Sequence, residues 1–445
     1  MSLTKATYSM IDGAPINVKD FGASSSASAA INNIAFQDAL DALRDLPNGG
    51  TLVIPAGEYV LSALLSLSVS VEWDGRPWII QGNGATLTWE NSGLTTGDCF
   101  TVGATNFTYR ESTFIHISNL RMIGPETNNC TVSGGITFPT ADTDTTGLRL
   151  NGALNITLDN LFIRRFYRGI YATDSWPIMA NAVYCSSNYI GIQLGTNCTL
   201  GQWTGCGADN AAYCLVMQPD AIDDGIGSQT IVGMRFENSL RGITLDQRTS
   251  TSGTNATIQN ITFISPRFEQ MAYDLLRMGQ TWVYSQPDLN GADRNTAYCQ
   301  GVNVYNGEWP LPVGAPGTGY PVRSSTNGYV RGCNLSLPIG QYANIVGVVV
   351  LSQIFIQPTS LGGTDSGKTF FPQGNPIVLG DQLTFVGSQG QINWDGGQKW
   401  LVGTGTPEGA VTAPVGSLFT RTNGGANTTL YIKESGSGNT GWVAK

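Results

Sequence analysis

A ten-residue frame recurs four times without a gap in the middle of the chain. The copies are Ile163–Ala172, Cys185–Leu194, Cys206–Leu215 and Phe236–Leu245. Their seventh residue is Gly in three copies and Ala in one, and the copies begin 22, 21 and 30 residues apart. A unit this short cannot bury its own apolar face, so it must stack on neighbouring units.

The segments that lead into these frames have the pattern of bent strands. Leu158–Ile163 and Ile231–Phe236 place apolar residues on both sides of a central Asn or Gly, and Ile117–Met122 and Ile258–Phe263 do the same. A period of two is typical of strands. The sequence therefore predicts an all-β fold, a right-handed parallel β-helix whose coils pair at about 4.8 Å. A β-sandwich or propeller is the alternative, but those folds repeat hairpins instead of single bent strands.

The chain divides by character into four regions. They are an attachment arm (1–19), a capping segment (20–50), the parallel β-helix (51–310) and a C-terminal β-rich region (320–445) expected to hold subunits together. In the capping segment, Phe36, Ala39, Leu40 and Leu43 form one apolar helical stripe. We expect this helix to cover the open end of the solenoid, where core and strand edge would otherwise be exposed.

Charge and composition limit the possible partners. The formal net charge of −9 argues against nucleic acid, and against strongly anionic ligands unless a local basic groove attracts them. No signal-peptide core is evident, and the longest apolar run, Ile345–Leu351, is too short to span a bilayer, so we expect a soluble protein without membrane insertion. Cys185 and Cys206 share an apolar frame position and are predicted to be buried free thiols stacked in the core. With one His and no Cys-x-x-Cys, no zinc site, other metal or cofactor is predicted.

Several catalytic mechanisms are excluded by residue type. No lysine occurs between Lys19 and Lys368, so the predicted solenoid has no Schiff-base nucleophile. The only histidine, His116, alternates with apolar strand residues and is predicted to face outward. No Gly-x-Ser-x-Gly is present to support a Ser-His-Asp triad. Catalysis would therefore depend on carboxylates, or on Arg or Tyr.

Three carboxylates lie near the same corner of consecutive predicted coils. Asp209, Glu237 and Glu269 should lie within about 5–12 Å of one another, given the coil spacing. If the coils are aligned by the gap-free frame, Glu269 is displaced from Glu237 along the corner. The echo of Arg235-Phe236-Glu237 in residues 267–269 instead stacks Glu269 directly on Glu237. Two flanking carboxyl groups are what glycosidases require. A solvated charge ladder, with Asp209 capping a bend, is the alternative interpretation.

Further candidates lie around this corner. Asp224 belongs to the acidic segment 220–228, which looks superficially like the Asp-Asp element of polygalacturonases but lacks that family's accompanying motifs, so a solvated loop or cation site is the alternative. Asp246 and Asp274 are fallback candidates. The candidate substrate-binding residues are Arg168, Arg235, Arg241, Arg267, Tyr167, Tyr184, Trp203, Tyr273 and Trp282, as hydrogen-bond donors or stacking rings.

The two ends of the chain resemble known families. Asn17–Ala23, a helix and then Gly49–Tyr59 resemble the N-terminal start of pectate-lyase-like β-helix proteins. Residues 7–15 are similar to the leader of bacteriophage tailspikes, and residues 416–445 resemble the ends of phage tail proteins. The resemblance implies a homotrimeric protein of the virion tail, attached to the tail or baseplate through its N-terminus. It also implies binding, and usually cleavage, of a bacterial surface polysaccharide at the exterior of the host cell.

The expected function is glycosidic hydrolysis of a capsule, O-antigen or exopolysaccharide. Glu237 and Glu269 are the expected acid and base, with Asp209 or Asp224 as the substitute partner. One alternative is a polysaccharide lyase, in which Arg or Tyr abstracts the C5 proton of a uronate. The other is a receptor-binding tail protein without catalytic activity.

Overall fold

The computed structural model describes a large part of the chain. The described residues are 13–69, 76–90, 94, 96–104, 114–125, 144–219, 225–248, 257–272, 275–282, 298–300, 302–305, 322–324, 329–338, 343–344, 348–357, 391–393 and 397–445. The chain forms two compact units, residues 1–375 and 376–445, which are described separately.

The described part of the first unit is built from strands, with one short helical turn (Val18–Phe21) and one α-helix, α1 (Ala29–Asp45). Its described strands are β1 (Ile16–Asn17), β2 (Gly50–Val53), β3 (Glu58–Leu61), β4 (Leu65–Val69), β5 (Pro77–Trp89), β6 (Thr96–Ala104), β7 (Phe114–Ile123), β8 (Asp144–Asn151), β9 (Leu154–Arg164), β10 (Arg168–Thr173), β11 (Trp176–Ser186), β12 (Ile190–Leu194), β13 (Gln202–Thr204), β14 (Gly207–Asp209), β15 (Tyr213–Met217), β16 (Gly225–Val232), β17 (Arg235–Glu237), β18 (Arg241–Arg248), β19 (Thr257–Ile264), β20 (Arg267–Glu269), β21 (Leu276–Trp282), β22 (Tyr298–Gln300), β23 (Asn303–Tyr305), β24 (Val322–Ser324), β25 (Tyr329–Pro338), β26 (Ala343–Asn344) and β27 (Val348–Gln357).

These strands form a right-handed parallel β-helix, as the sequence predicts. In the described part of the chain, β4, β6, β8, β10, β12, β15, β18, β21, β24 and β26 make one sheet, here called the second sheet, and the other strands make the first sheet. Strands pair in parallel from coil to coil, and parallel strands joined by crossovers wind right-handed because of their intrinsic twist. A continuous apolar core lies between the sheets.

The predicted bends in the first sheet are confirmed. Asn119, Asn160, Gly233 and Asn260 all have positive φ, between 50° and 62°, and each lies in or beside a strand of this sheet. Asn and Gly tolerate this left-handed conformation best. The Asn160 side chain also donates a hydrogen bond of 2.8 Å to that of Asn119, so the bends are linked along the axis.

The repeat register is confirmed for the first two copies and wrong for the third. Ile163 pairs with Cys185, as predicted, but Cys185 pairs with Ala208, and Ala208 pairs with Phe236. The third copy is therefore displaced by two residues, and Cys206 does not lie beneath Phe236. A shift of two residues keeps every side chain on its own face, so alternation alone does not reveal it. Cys185 and Cys206 are nevertheless buried free thiols, as expected.

Helix α1 lies against the first coil. Its N-cap is Ser28, and its predicted apolar stripe is buried. The Asn33 side chain accepts hydrogen bonds from the backbone amides of Ser62 (2.7 Å) and Ala63 (3.0 Å), just after β3. These contacts place the helix on β2, β3 and β4; its role as a cap stays a prediction.

The solenoid continues past residue 310, where the sequence analysis ended it. Strands β24 to β27 extend both sheets through parallel pairs as far as Gln357. Val348–Gln357, whose sequence has apolar residues at both odd and even positions, is therefore a solenoid strand, β27, that pairs with β25. Long Gly- and Pro-rich segments between the last coils give the sequence the composition of a domain boundary.

The second unit contains a small mixed sheet. Its described strands are β28 (Gln391–Asn393), β29 (Lys399–Gly403), β30 (Leu418–Arg421), β31 (Leu430–Lys433) and β32 (Trp442–Ala444). Leu401, Ala413, Phe419, Tyr431 and Trp442 form its apolar core. Among the residues that the structure describes, no helix is long and apolar enough to cross a membrane.

Candidate active site

Three carboxylates lie in one outward row on successive coils. Asp209 ends β14, Glu237 ends β17 and Glu269 ends β20, and the strand register pairs Asp209 with Glu237 and Glu237 with Glu269. Phe236 and Phe268, which precede the two glutamates, are buried and stacked with ring centroids 5.1 Å apart. The register given by the repeated Arg-Phe-Glu is therefore confirmed, and the offset position of Glu269 is wrong. Neighbouring members of the row are one coil, about 4.8 Å, apart in their backbones.

Each glutamate in the row pairs with the arginine two residues before it. Arg235 donates to Glu237, and the Nη2 atom of Arg267 lies 3.2 Å from Oε2 of Glu269. Exposure separates the two pairs, because the side chain of Glu237 is 13% exposed and that of Glu269 is 48% exposed. The hydrogen bond to Glu237 is the largest of the causes that raise the pKa of Arg235. Glu237 is thus the shielded carboxylate, and Glu269 is in contact with solvent.

Asp209 lies beside a tyrosine instead of an arginine. Its Oδ1 atom is buried and has no hydrogen-bond partner in the described part of the chain. Burial, followed by the charges of Asp209 and Glu237, raises the pKa of Tyr184 well above its ordinary value of 10.0. Tyr184 therefore remains a neutral hydroxyl, and its hydrogen bond to Asp209 is a further cause of this shift.

A glycine makes room for this tyrosine. Gly207 precedes Asp209 by two residues in β14, and a Cβ atom there would lie only 2.5 Å from Cε2 of Tyr184. The opposite side of the Tyr184 ring is occupied by Phe162 of the preceding coil, with centroids 6.1 Å apart and planes inclined by 12°. The ring is therefore held between Phe162 and the backbone of β14, next to the acidic row.

Four of the predicted substrate-binding residues are buried elsewhere. Arg168 is 5% exposed and pairs with Asp144, and Arg241 is 3% exposed and donates to the Tyr213 hydroxyl at 2.8 Å. Tyr167 is also buried, as is Trp203, whose indole donates to Gln229. The sequence analysis expected these four side chains near the substrate and did not predict their burial. Contact with a polysaccharide is not expected for these four side chains.

The remaining candidates are only partly within the described residues. Asp224, Tyr273 and Asp274 lie outside them, and only the backbone of Asp246 and Trp282 is described. His116 is half-buried between two buried isoleucines and faces outward, as predicted. In the described part, no group of three or more His, Cys, Asp or Glu residues is arranged to hold a metal ion.

The sequence analysis missed three arginines that lie close to the acidic row. Arg164 occupies the same outward row two coils earlier, because it pairs with Ser186 and Ser186 pairs with Asp209. Arg165 follows it, and Arg121 lies on the coil before. The three arginines come together only because of the coil register. The only sign of that register in the sequence is the Asn-bend pattern shared by Ile117–Met122 and Leu158–Ile163.

Comparisons with known proteins give structural similarity only. No protein-family model and no curated protein matches the chain. Solved structures that are similar include an endo-xylogalacturonan hydrolase from Aspergillus tubingensis, with 13% identity, 81% of this chain and 99% of the other covered, and a TM-score of 0.47. The ORF18 protein of Geobacillus virus E2 has 11% identity, 70% and 61% coverage and a TM-score of 0.42.

Tailspike protein 2 of bacteriophage CBA120 is also similar, through its enzymatically active domain. The identity is 13%, the coverage is 73% of this chain and 47% of the other, and the TM-score is 0.37. The present chain thus spans 61% of the Geobacillus virus protein and under half of this tailspike structure. The solved structures similar to the chain therefore include both tailspikes and polysaccharide hydrolases.

Proposed function

We propose that this protein is a phage tail depolymerase that binds a bacterial surface polysaccharide and hydrolyses its glycosidic bonds. The observation that carries the proposal is the row of Asp209, Glu237 and Glu269 on successive coils, beside Tyr184. Glycosidases need two carboxyl groups on either side of the scissile bond. Stacked coils supply such groups at a fixed spacing on a surface long enough to receive a polymer.

The surroundings of the carboxylates suggest different roles. Glu237 is shielded and paired with Arg235, which suits the group that must act in its ionised form as base or nucleophile. Asp209 lies on the adjacent coil, beside the Tyr184 hydroxyl, and we assign it the complementary role of proton donor. Glu269, about half exposed, is the second choice for either role. The sequence analysis expected Glu237 and Glu269 to act as the catalytic pair. The pair proposed here is Glu237 and Asp209.

The spacing of the row bears on stereochemistry. Carboxyl groups about 5–5.5 Å apart serve retaining glycosidases, whereas about 6.5–9.5 Å serves inverting ones. Asp209 and Glu237 are on adjacent coils, about 4.8 Å apart in their backbones, and carboxyl groups that keep this spacing would fit the retaining arrangement. A pair formed by Asp209 and Glu269 would be two coils apart and would fit the inverting arrangement instead.

The test is depolymerisation by matched variants. Capsule, lipopolysaccharide and exopolysaccharide from candidate hosts are incubated with the wild type and with Glu237→Gln, and fragment size and new reducing ends are measured. We expect Glu237→Gln to lower the rate by at least about a hundredfold, since one of the two reacting carboxyls is lost. Glu58→Gln is the control, because Glu58 faces outward on the first sheet several coils away and its carboxylate accepts from Thr88.

Other outcomes identify the alternatives. Unsaturated uronate ends would indicate a lyase, and polymers that stay intact with every host glycan would indicate a receptor-binding protein. Equal cleavage by wild type and Glu237→Gln would exclude the assigned role of Glu237. The tail location, attachment through the N-terminus, the homotrimer and action outside the host cell are proposed from the resemblance of the chain ends to phage tail proteins.

A further inference from the structure

Three arginines cluster on the outward surface before the acidic row. Arg164 ends the outward face of β9, Arg165 follows it at the bend, and Arg121 lies on β7, one coil earlier. In the described part of the chain, none of the three lies within ion-pair distance of a carboxylate. By contrast, Arg44, Arg149, Arg168, Arg235 and Arg267 each lie within ion-pair distance of a carboxylate.

The positive charges of this cluster act on one another. Burial, and then the charges of Arg165 and Arg121, lower the pKa of the Arg164 guanidinium. The Nε atom of Arg164 is buried and has no hydrogen-bond partner in the described residues. Three cations with no carboxylate in ion-pair distance among the described residues are unusual on a chain whose net charge is −9. An anion bound there would relieve the repulsion between the three guanidinium groups.

Aromatic rings connect this cluster to the acidic row. The guanidinium of Arg121 lies 5.3 Å from the centre of the Phe162 ring, and Phe162 is stacked on Tyr184. Tyr184 in turn lies beside Asp209. Along the neighbouring outward row, Arg164, Ser186 and Asp209 are on three successive coils, so about 9.6 Å separates the backbones of Arg164 and Asp209. A short oligosaccharide would span from the arginines to the carboxylates.

We propose that Arg121, Arg164 and Arg165 form a subsite for a negatively charged substituent of the polysaccharide, a carboxylate or a phosphate group. The inference rests on the proposed function, since it assigns the substrate of the same site to the class of acidic polysaccharides. Guanidinium groups bind carboxylate and phosphate oxygens in pairs, which lysine does not. The charged sugar would bind about two coils before the scissile bond.

The experiment measures binding to polymers that differ only in charge. Dextran, carboxymethyl-dextran and phosphorylated dextran are titrated into the full chain by calorimetry, with wild type, Arg164→Gln, Arg164→Lys and Arg44→Gln. Arg44 is the matched control, because it carries the same charge and pairs on the surface of α1 with Asp41 and Asp45. Thermal unfolding of each variant shows whether the fold is retained.

We expect a charged dextran to bind at least about tenfold more tightly than dextran, and Arg164→Gln to weaken that binding about tenfold, since hydrogen bonds to charged groups are lost. Arg164→Lys should fall between the two, because it keeps the charge but not the paired donors. Arg44→Gln should stay within about twofold of wild type. The charged polymer that binds more tightly identifies carboxylate or phosphate as the group recognised.

Three results would overturn the subsite: equal affinity for charged and uncharged dextran, no binding of either charged polymer, or equal weakening by Arg44→Gln and Arg164→Gln. Failure of the proposed function is distinguishable. If charged dextrans bind through Arg164 but Glu237→Gln cleaves host polymers like wild type, the subsite stands and the assignment of Glu237 falls. If Glu237→Gln abolishes cleavage while charged and carboxyl-reduced host polymers are cut equally, the depolymerase stands and the subsite falls.

Discussion

The change Gly207→Ala tests whether Tyr184 belongs to the site. Gly207 has no positive φ that an alanine would strain, so the only consequence is the added methyl group. That Cβ would lie 2.5 Å from Cε2 of Tyr184 and 3.2 Å from the carbonyl oxygen of Arg235. The backbone oxygen is fixed by the strand pairing of β14 and β17, so the tyrosine ring must move.

The size of the displacement sets the expected effect. Ordinary van der Waals contact begins near 3.4 Å, so the ring must retreat by about 0.9 Å, away from Asp209. An off-rotamer side chain costs about 0.5–1.5 kcal/mol, which in a unit of this size lowers the melting temperature by a few degrees at most. A displacement of about 1 Å among groups that position a substrate costs as much as a hundredfold in rate. Activity should therefore fall much further than stability.

The assay compares the initial rate of depolymerisation with the melting temperature of the same sample. We expect Gly207→Ala to lose about ten- to a hundredfold in rate while remaining folded. Gly227→Ala is the control, because it also adds a methyl group within the first sheet, where the nearest atom is Cγ of Gln259 at an ordinary 3.6 Å. Wild-type rates for Gly207→Ala would refute the role given to Tyr184. Equal losses for both variants would show a general disturbance of the sheet.

Two further predictions concern packing and pH. Phe236→Ala should destabilise the first unit by about 3–5 kcal/mol, since the ring is fully buried against Phe268. Phe114→Ala is the control, because its ring is 49% exposed and its loss should cost less than about 1 kcal/mol. Unfolding in denaturant measures both changes. In the second unit, the backbone amides of Trp442 and Gly441 donate hydrogen bonds to the Glu408 carboxylate. These hydrogen bonds lower the pKa of Glu408 below its ordinary 4.5. Its stabilising effect is present above pH 4.5 and lost as pH falls through the lower folded-state pKa. Acid should therefore lower the protection factor of the Trp442 amide, which is its exchange rate corrected for the intrinsic effect of pH, more in wild type than in Glu408→Gln.

The coil architecture was predictable because its signals are local. The alternation around Asn160 and Asn260 and the left-handed bends at those residues follow from single-residue preferences. The coil register was not predictable by the same means. Moving the third copy by two residues exchanges Cys206 for Ala208 beneath Phe236, and both are small residues with the same orientation. The frame gave the correct pairing of Ile163 with Cys185, and the repeated Arg-Phe-Glu gave that of Glu237 with Glu269, but no comparable identity fixed the third copy.

The solvent exposure of outward-facing side chains was the second feature that the strand pattern did not predict. Alternation predicts that one face of a strand is buried and the other solvated, and Arg235 on β17 obeys this, with a side chain that is 51% exposed. Arg241 is only six residues further along but lies on the second sheet, where it is 3% exposed. Both faces of that sheet are buried at this level, since every residue of β12 and β15 is inaccessible. An outward arginine on the second sheet forms hydrogen bonds with other protein groups, whereas an outward arginine on the first sheet remains accessible to a ligand. The candidate site is therefore placed on the first sheet, where outward charges such as those of Arg235 and Glu269 keep contact with solvent. Arg164, on the same face, has no carboxylate within ion-pair distance among the described residues.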